Sequence, residues 1–178
     1  MIVRHATDLA RPALLALGGS LAIAASAQIQ VPMQPVPMTM QSLVVLLVGV
    51  AYGPRLGAAT VLLYLLEGLA GLPVFAGFRS GPAVLAGPTG GFLVGFVPAA
   101  ALAGWLAARG WMRGAIGAAA GFLAGHAVLF AFGVGWLAVL VGAERAIAFG
   151  LLPFLPGTAV KAAIGVALLA ALKGVRRA

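Results

Sequence analysis

The chain of 178 residues contains no cysteine and only three acidic side chains, and both shortages narrow its possible chemistry. Without cysteine there can be no disulfide and no thiol chemistry. With so few carboxylates the sequence offers no paired acids, no cluster of metal ligands and no Ser, His and Asp set typical of a hydrolase. It also lacks a glycine-rich phosphate-binding motif. The sequence therefore predicts a protein that is not an enzyme and that has no metal and no cofactor.

Charge of either sign is scarce, whereas apolar residues are abundant. Only 8% of the residues are charged and 63% are hydrophobic, although roughly a quarter are charged in an average soluble domain. The net charge of +8 comes from basic residues scattered singly at the ends of apolar segments, which is unlike the basic face that binds nucleic acid. The sequence predicts an integral membrane protein that contacts lipid and has no nucleic-acid partner.

The apolar segments divide the chain into six predicted transmembrane helices, at roughly 20 residues for each crossing. We predict an all-α protein with a single transmembrane domain over 1–178, whose first segment is retained rather than cleaved as a signal peptide. Proline can begin a helix, and the corner at Gly53, Pro54 and Arg55 predicts an abrupt reversal between the second and third helices. The predicted helices lie near 12–27, 40–52, 54–70, 88–108, 114–141 and 146–172.

The distribution of basic residues predicts that both termini are cytoplasmic. Cytoplasmic segments carry the excess of Lys and Arg, and with the N-terminus inside only Arg79 and Arg145 fall on the outer side. The two long connections with little charge, 28–39 and 71–87, then become outer loops after helices 1 and 3. The basic residues placed on the inner side are Arg4, Arg11, Arg55, Arg109, Arg113, Lys173, Arg176 and Arg177.

Three ionisable residues lie within the apolar segments. Lys161 interrupts the run LLPFLPGTAVKAAIGVALLAAL, and because a charge at membrane depth costs a few kcal/mol on insertion scales, we expect it to face a polar cavity or a bound anion. Glu67 is expected to pair with Lys161 or Arg79, or to take part in a proton relay. His126 is either a proton carrier or a neutral histidine that is hydrogen-bonded within the bundle.

Both outer loops have the composition of a cover over a binding site. The first, QIQVPMQPVPMTMQ, is kept extended by its prolines, and its amide side chains, including Gln41, can pair with a polar ligand. The second, GLPVFAGFRSGPAVLAGPTGG, is too interrupted for one helix and too apolar to stand in water, which predicts a re-entrant or capping segment. Phe75 offers apolar surface there, while Arg79 and Ser80 offer donors. A plain solvated first loop and a surface role for Arg79 are the alternatives.

Small residues recur four apart on the first and fifth helices. Gly18, Ala22 and Ser26 form one such stripe, and glycines at 117, 121 and 125 form another. Because small residues let helices approach closely, each stripe predicts either packing within the bundle or, on the first helix, docking of another protein.

Five segments, taken in order and spacing, resemble the BioY family of bacterial biotin transporters, which are the substrate-binding S components of energy-coupling factor transporters. The resemblance runs from about Ala22 to Leu168. The five segments are QIQVPMQPVPMTMQ, LLVGVAYGPRLGA, YLLEGLAGLPVFAG, GPTGGFLVGF and LLPFLPGTAVKA.

The resemblance implies six transmembrane helices, a biotin pocket open to the outside, and loops after helices 1 and 3 that act as lids. It places Lys161 at the basic position of the family's closing motif and Arg79 where a loop residue often contacts ligand. Thr158 replaces the acid that usually follows Pro-Gly, and Phe92 and Leu93 stand where some members carry arginine. It also implies a transmembrane coupling protein and cytoplasmic ATPase subunits as partners.

The sequence thus predicts high-affinity biotin binding and uptake across the bacterial cytoplasmic (inner) membrane. Lys161 is the first candidate for the biotin carboxylate and Arg79 the second. The other expected ligand-binding residues are Thr158, Glu67, Ser80, Phe75 and Gln41. A self-sufficient or proton-coupled carrier without ATPase partners is the main alternative, and a scaffold subunit with an internally paired Lys161 is another.

Overall fold

The structure, a computed structural model, describes the backbone of residues 2–175 and the side chains of residues 10–172. Arg176 and Arg177, which were predicted to be cytoplasmic, lie outside the described residues. Among the described residues, five helices are long and apolar enough to cross a membrane. In chain order the elements are α1 (Ile2–Ala27), β1 (Gln30–Val31), β2 (Met38–Thr39), α2 (Gln41–Leu69), α3 (Pro82–Ala86), α4 (Gly90–Ala108), α5 (Ala115–Val141), α6 (Ala143–Gly150) and α7 (Phe154–Val175).

The long helix α2 is a hairpin of two arms that meet at Gly53. Gly53 has φ 79° and ψ 175°, a conformation that glycine adopts without the steric penalty of a Cβ. The arms lie side by side, because a Cβ on Gly57 would lie 2.8 Å from the Gly49 Cα and the side chains of Gln41 and Tyr64 are hydrogen-bonded. The reversal predicted at this corner is therefore present.

The last predicted helix, 146–172, was wrong as a single element. The structure instead has the short α6, a turn at 151–153, and then α7. Proline lacks the N–H that a continuing helix would need, and Pro153 and Pro156 fall where the ladder of α6 would have to continue. The apolar character of this region concealed the break, since it continues across both helices.

The two loops predicted to lie on the outer side, 28–39 and 71–87, are called the outer loops below and carry more structure than was expected. In the first loop β1 and β2 pair antiparallel, with Gln30 opposite Thr39 and Val31 opposite Met38, so this loop is a small hairpin in an otherwise helical protein. The second loop holds a 3₁₀ turn at Ala76–Phe78 followed by α3. Both loops lie at the end of the bundle where α2, α4 and α7 begin, which is opposite to the Gly53 corner.

Close helix packing explains much of the glycine content. α2 packs against α1 and α4, and α5 packs against α4, α6 and α7. On α5 the stripe is internal, because a Cβ on Gly121 or Gly125 would press on Met112 or Leu46. On α1, in contrast, Gly18 is exposed, and a Cβ there would meet nothing within 4 Å.

Candidate ligand cavity

A cavity lies among the outer loops and the parts of α2, α4, α5 and α7 nearest to them. It holds about 650 Å³ of empty space, a figure that includes the open mouth. Residues of α2, α4, α5, α7 and both outer loops contribute to its wall. The polar side chains that line it are Thr39, Gln41, Ser42, Arg79, Thr89, His126, Thr158 and Lys161.

Lys161 is buried in this wall and is held by Ser42. Its Nζ donates a hydrogen bond to the Ser42 Oγ at 3.0 Å, and the same Oγ lies 3.2 Å from His126 Nε2. His126 Nδ1 is 2.8 Å from the Phe122 carbonyl oxygen. A carbonyl oxygen can only accept, so Nδ1 carries the proton and Nε2 accepts from the Ser42 hydroxyl. The Ser42 hydroxyl thus donates its proton to the hydrogen bond with His126. Two N–H groups of Lys161 remain for a ligand.

Thr158 lies one turn before Lys161 on the same face of α7. Its side chain lines the cavity and is only 6% exposed. Among the described residues its hydroxyl makes no hydrogen bond to protein, so it can donate to or accept from a ligand. Lys161 and Thr158 therefore present a cation and a hydroxyl side by side, a combination suited to a carboxylate.

A second series of hydrogen bonds runs from Thr39 through Gln41 to Tyr64. Thr39 Oγ1 donates to Gln41 Oε1 at 3.2 Å, Gln41 Nε2 donates to the Tyr64 hydroxyl at 2.6 Å, and Tyr64 donates to the Val74 carbonyl at 3.0 Å. This series joins the first outer loop to the second across the mouth of the α2 hairpin. Gln41 keeps one amide N–H and one carbonyl lone pair for a ligand.

Phe75 anchors the second outer loop against α2. Its ring is buried, meets Tyr64 edge-on with centroids 5.6 Å apart, and rests on Gly68 so closely that a Cβ there would overlap it. Its N–H donates to the Arg79 carbonyl at 3.0 Å. The Arg79 side chain is exposed at the cavity mouth and donates through Nε to the Ala76 carbonyl at 3.1 Å.

Part of the cavity wall is aromatic. Phe92 and Phe154 stack with ring centroids 6.0 Å apart, and Phe130 meets Phe154 edge-on at 6.4 Å. Phe92 and Leu93 both line the cavity, so the two positions that depart from the resemblance supply apolar surface where a basic side chain was the alternative.

The structure brings most of the predicted site residues together, but it separates two of them from the cavity. Lys161, Arg79, Thr158, Phe75 and Gln41 all line it. Ser80 follows Arg79 outside the wall, and Glu67 lies on the opposite arm of α2, where it accepts a hydrogen bond from Ser20 of α1. The expected pairing of Glu67 with Lys161 or Arg79 is not found in the described part of the chain, because its arm faces α1 rather than α7.

Sequence reasoning missed Ser42 and left His126 outside the site. Both line the cavity and both support Lys161. The available signal was weak: Ser42 is the second of two polar residues at the start of an apolar run. For His126 the expectation of a neutral histidine hydrogen-bonded within the bundle matches the observed contacts. Within the described residues no group of three His, Asp or Glu side chains could hold a metal ion.

Comparison with known proteins relates the chain to a family of membrane proteins. The model of the BioY family matches residues 3–178. A probable biotin transporter BioY of Pyrococcus horikoshii is 42% identical over 128 residues, covering 72% of this chain and 75% of the relative. A biotin transporter BioY of Thermotoga maritima is 39% identical over 137 residues, covering 74% and 78%.

The fold is also similar to a solved structure. The crystal structure at 2.1 Å of the S-component for biotin from an ECF-type ABC transporter superposes with a TM-score of 0.77. The match covers 94% of this chain and 93% of that one, at 23% sequence identity. At this identity the likeness shows a common fold, and the contents of the cavity have to be argued from this chain's own residues.

Proposed function

The chain belongs to the BioY family, a family of transporters rather than enzymes, and on that premise we propose that its cavity binds biotin for uptake across the cytoplasmic membrane. The observation that carries the proposal is Lys161, a buried cation that is held by Ser42 on one side of a largely apolar cavity. Biotin has a carboxylate for the cation, a compact ring for the aromatic wall, and a ureido group that amide side chains can pair with.

In this proposal the biotin carboxylate contacts Lys161 and Thr158, which lie together on α7. The ring system lies against the aromatic wall of Phe92, Phe130 and Phe154. Gln41, whose amide retains one donor and one acceptor, is placed for the ureido group. Arg79 lies at the mouth, where it attracts the anion during entry and contacts the carboxylate only if the ligand lies in the reverse direction.

The proposed topology has six crossings, with both termini in the cytoplasm and the outer loops as lids. The two arms of α2 count as separate crossings because they run side by side from the Gly53 corner. Arg55, Arg109 and Arg113 lie near that corner or at the adjoining end of α4, which suits the cytoplasmic side. The cavity, Arg79 and both outer loops lie at the opposite end, so the ligand enters from outside.

The proposed partners are a transmembrane coupling protein and cytoplasmic ATPases, acting on this chain as an S component. Transport against a gradient needs an energy source, and the described residues contain no nucleotide-binding element. The exposed small face of α1, at Gly18 and Ala22, is the proposed docking face, because none of the described residues covers it and small residues permit close helix approach.

Calorimetric titration of the purified chain with biotin tests the proposed ligand. We expect saturable binding of biotin and much weaker binding of biotin amide, which lacks the carboxylate charge. Absence of binding by either compound would overturn the proposal and favour a scaffold subunit.

Hydrogen exchange tests the lids. If the two outer loops cover the ligand, amides at 30–39 and 75–80 should exchange more slowly with biotin, while those around Arg55 and Arg109 should change little. Equal protection at both ends of the bundle, or none at either, would contradict a site capped from outside.

Uptake by the purified chain in liposomes separates the proposal from a self-sufficient or proton-coupled carrier. That alternative relied on His126 and Glu67, which the structure places on different sides of α2 with separate hydrogen-bond partners. We expect binding without net accumulation when no ATPase is present, and accumulation by the chain alone would favour the carrier.

A further inference from the structure

A single glutamine joins the end of α1 to the loop that covers the cavity. Gln28 follows the last residue of α1, and its Nε2 donates to the Phe75 carbonyl oxygen at 3.1 Å and to the Ala24 carbonyl oxygen of α1 at 3.4 Å. Its Oε1 accepts from the Phe78 backbone N–H at 3.2 Å. These partners fix the orientation of the amide, since a carbonyl can only accept and an N–H can only donate. The Gln28 amide therefore binds one turn at two points, through its N–H and through its oxygen.

The turn 75–79, to which Gln28 is hydrogen-bonded, has an unusual backbone. Gly77 has φ 69° and Phe78 has φ 57°, a region that a bulky residue such as phenylalanine rarely enters. Such conformations persist only where surrounding contacts enforce them. The Phe78 ring is 69% exposed, so the side chain itself anchors little. Gln28 supplies the contact to the Phe78 N–H from outside the turn.

The turn 75–79 is part of the cavity wall. Phe75, Ala76 and Arg79 all line the cavity, and the turn between them is closed by the Phe75–Arg79 bridge. A shift of the turn away from α1 would lift the Phe75 ring from its seat on Gly68 and widen the mouth. The position of this cover thus depends on how firmly the turn is tied to α1.

We propose that Gln28 is a positioning residue that ties the turn 75–79 to α1 and so keeps the cover closed over the bound ligand. It does not touch the ligand but acts through the turn. Only glutamine matches both partners at this reach. Glutamate would place an acceptor against the Phe75 carbonyl, and asparagine is one methylene too short to reach both sites. The ligand used in the test, biotin, rests on the proposed function.

The experiment measures dissociation of labelled biotin from the full-length chain in lipid nanodiscs after a chase with excess unlabelled biotin. The variants are Gln28→Ala, which removes both hydrogen bonds to the turn, and the nearly isosteric Gln28→Glu, which keeps only the acceptor. Gln30→Ala is the matched control, because Gln30 is an exposed glutamine of the same loop. Its Nε2 would lie 3.8 Å from a Cβ on Gly77, so it is close to the same turn, but its side chain makes no hydrogen bond among the described residues.

We expect dissociation to be about tenfold faster for Gln28→Ala, because each of two neutral hydrogen bonds contributes a few-fold. Gln28→Glu should be at least as fast, and Gln30→Ala should match the wild type. In the ligand-free protein the Phe78 amide should exchange faster in Gln28→Ala, which removes its acceptor, while the thermal unfolding temperature stays the same. That combination separates a loosened cover from a general loss of folding.

The result has three informative outcomes. A wild type that retains no biotin would overturn the proposed ligand, and the exchange of the Phe78 amide would then test the tie by itself. A wild type that holds biotin, with Gln28→Ala dissociating within twofold of it, would refute the tie. An equal acceleration in Gln30→Ala would also refute it, since loop mobility in general would then account for the effect.

Discussion

Removing the charge of Lys161 should abolish most of the preference for a carboxylate ligand. The most informative change is Lys161→Met, because methionine keeps an unbranched apolar stem of similar length and so preserves packing in the wall. Lys161 is 7% exposed, so its ammonium is largely withdrawn from water and meets the ligand where screening is weak. Ser42 satisfies one of its three N–H groups, which leaves two for a carboxylate.

The magnitude follows from the burial of the pair. Breaking a desolvated ion pair by removing one partner costs about 2–5 kcal/mol, since the other charge is left unpaired. At 1.4 kcal/mol for each factor of ten, the dissociation constant for biotin should rise roughly 30- to 4,000-fold. The ligand-free protein should lose no stability, because the variant removes a charge that was costly to bury.

Calorimetry on two proteins and two ligands isolates the charge interaction. Wild type and Lys161→Met are each titrated with biotin and with biotin amide, and the coupling between the two changes is the free energy of the ion pair. We expect the wild type to discriminate strongly between the ligands and the variant to bind both with similar, weak affinity. If Lys161→Met binds biotin within twofold of the wild type, Lys161 does not contact the carboxylate.

Three further substitutions test other parts of the structure. Ser42→Ala should weaken biotin binding about fivefold, the effect of one hydrogen bond near 1 kcal/mol, as measured by titration, and an unchanged affinity would mean that Ser42 does not orient Lys161. Gly68→Ala should displace the Phe75 ring and cost about 1–3 kcal/mol in unfolding experiments, with weaker biotin binding, whereas an unaltered unfolding midpoint would contradict the close contact. Gly18→Leu should leave biotin binding intact and abolish pull-down of the coupling protein, and joint loss of folding and binding would place Gly18 inside the bundle.

The sequence predicted the site where charge or a break in the helix pattern restricted the possibilities. A lysine inside an apolar run can only point toward a cavity or a partner, so Lys161 indicated the cavity that it lines, and Thr158, three residues earlier, shares its helical face. Phe75 and Arg79 could be predicted because the second loop is interrupted by Gly and Pro and so could not be a single transmembrane helix. The Gly53 corner was visible as Gly-Pro-Arg between two apolar runs.

Other features could not be deduced, because apolar membrane helices carry little information about which face points where. Lipid and protein interior are both apolar, so the sequence did not show that Ser42 faces Lys161 or that Glu67 faces α1. The same uniformity concealed the break between α6 and α7. Glu67 was paired with the wrong partner for this reason: opposite charges suggested a contact that the direction of its arm prevents.

The hairpin of α2 has a consequence for how the chain enters the membrane during synthesis. Its first arm, residues 41–52, extends only roughly 18 Å at 1.5 Å per residue, which is shorter than the hydrocarbon core of about 30 Å. Such a short segment is a poor signal for membrane insertion by itself. At Gly53 it is joined directly to the second arm, with no linker between the two. We therefore expect the insertion machinery to recognise the two arms as one unit. A substitution that makes the second arm less hydrophobic should then also prevent the first arm from inserting into the bilayer.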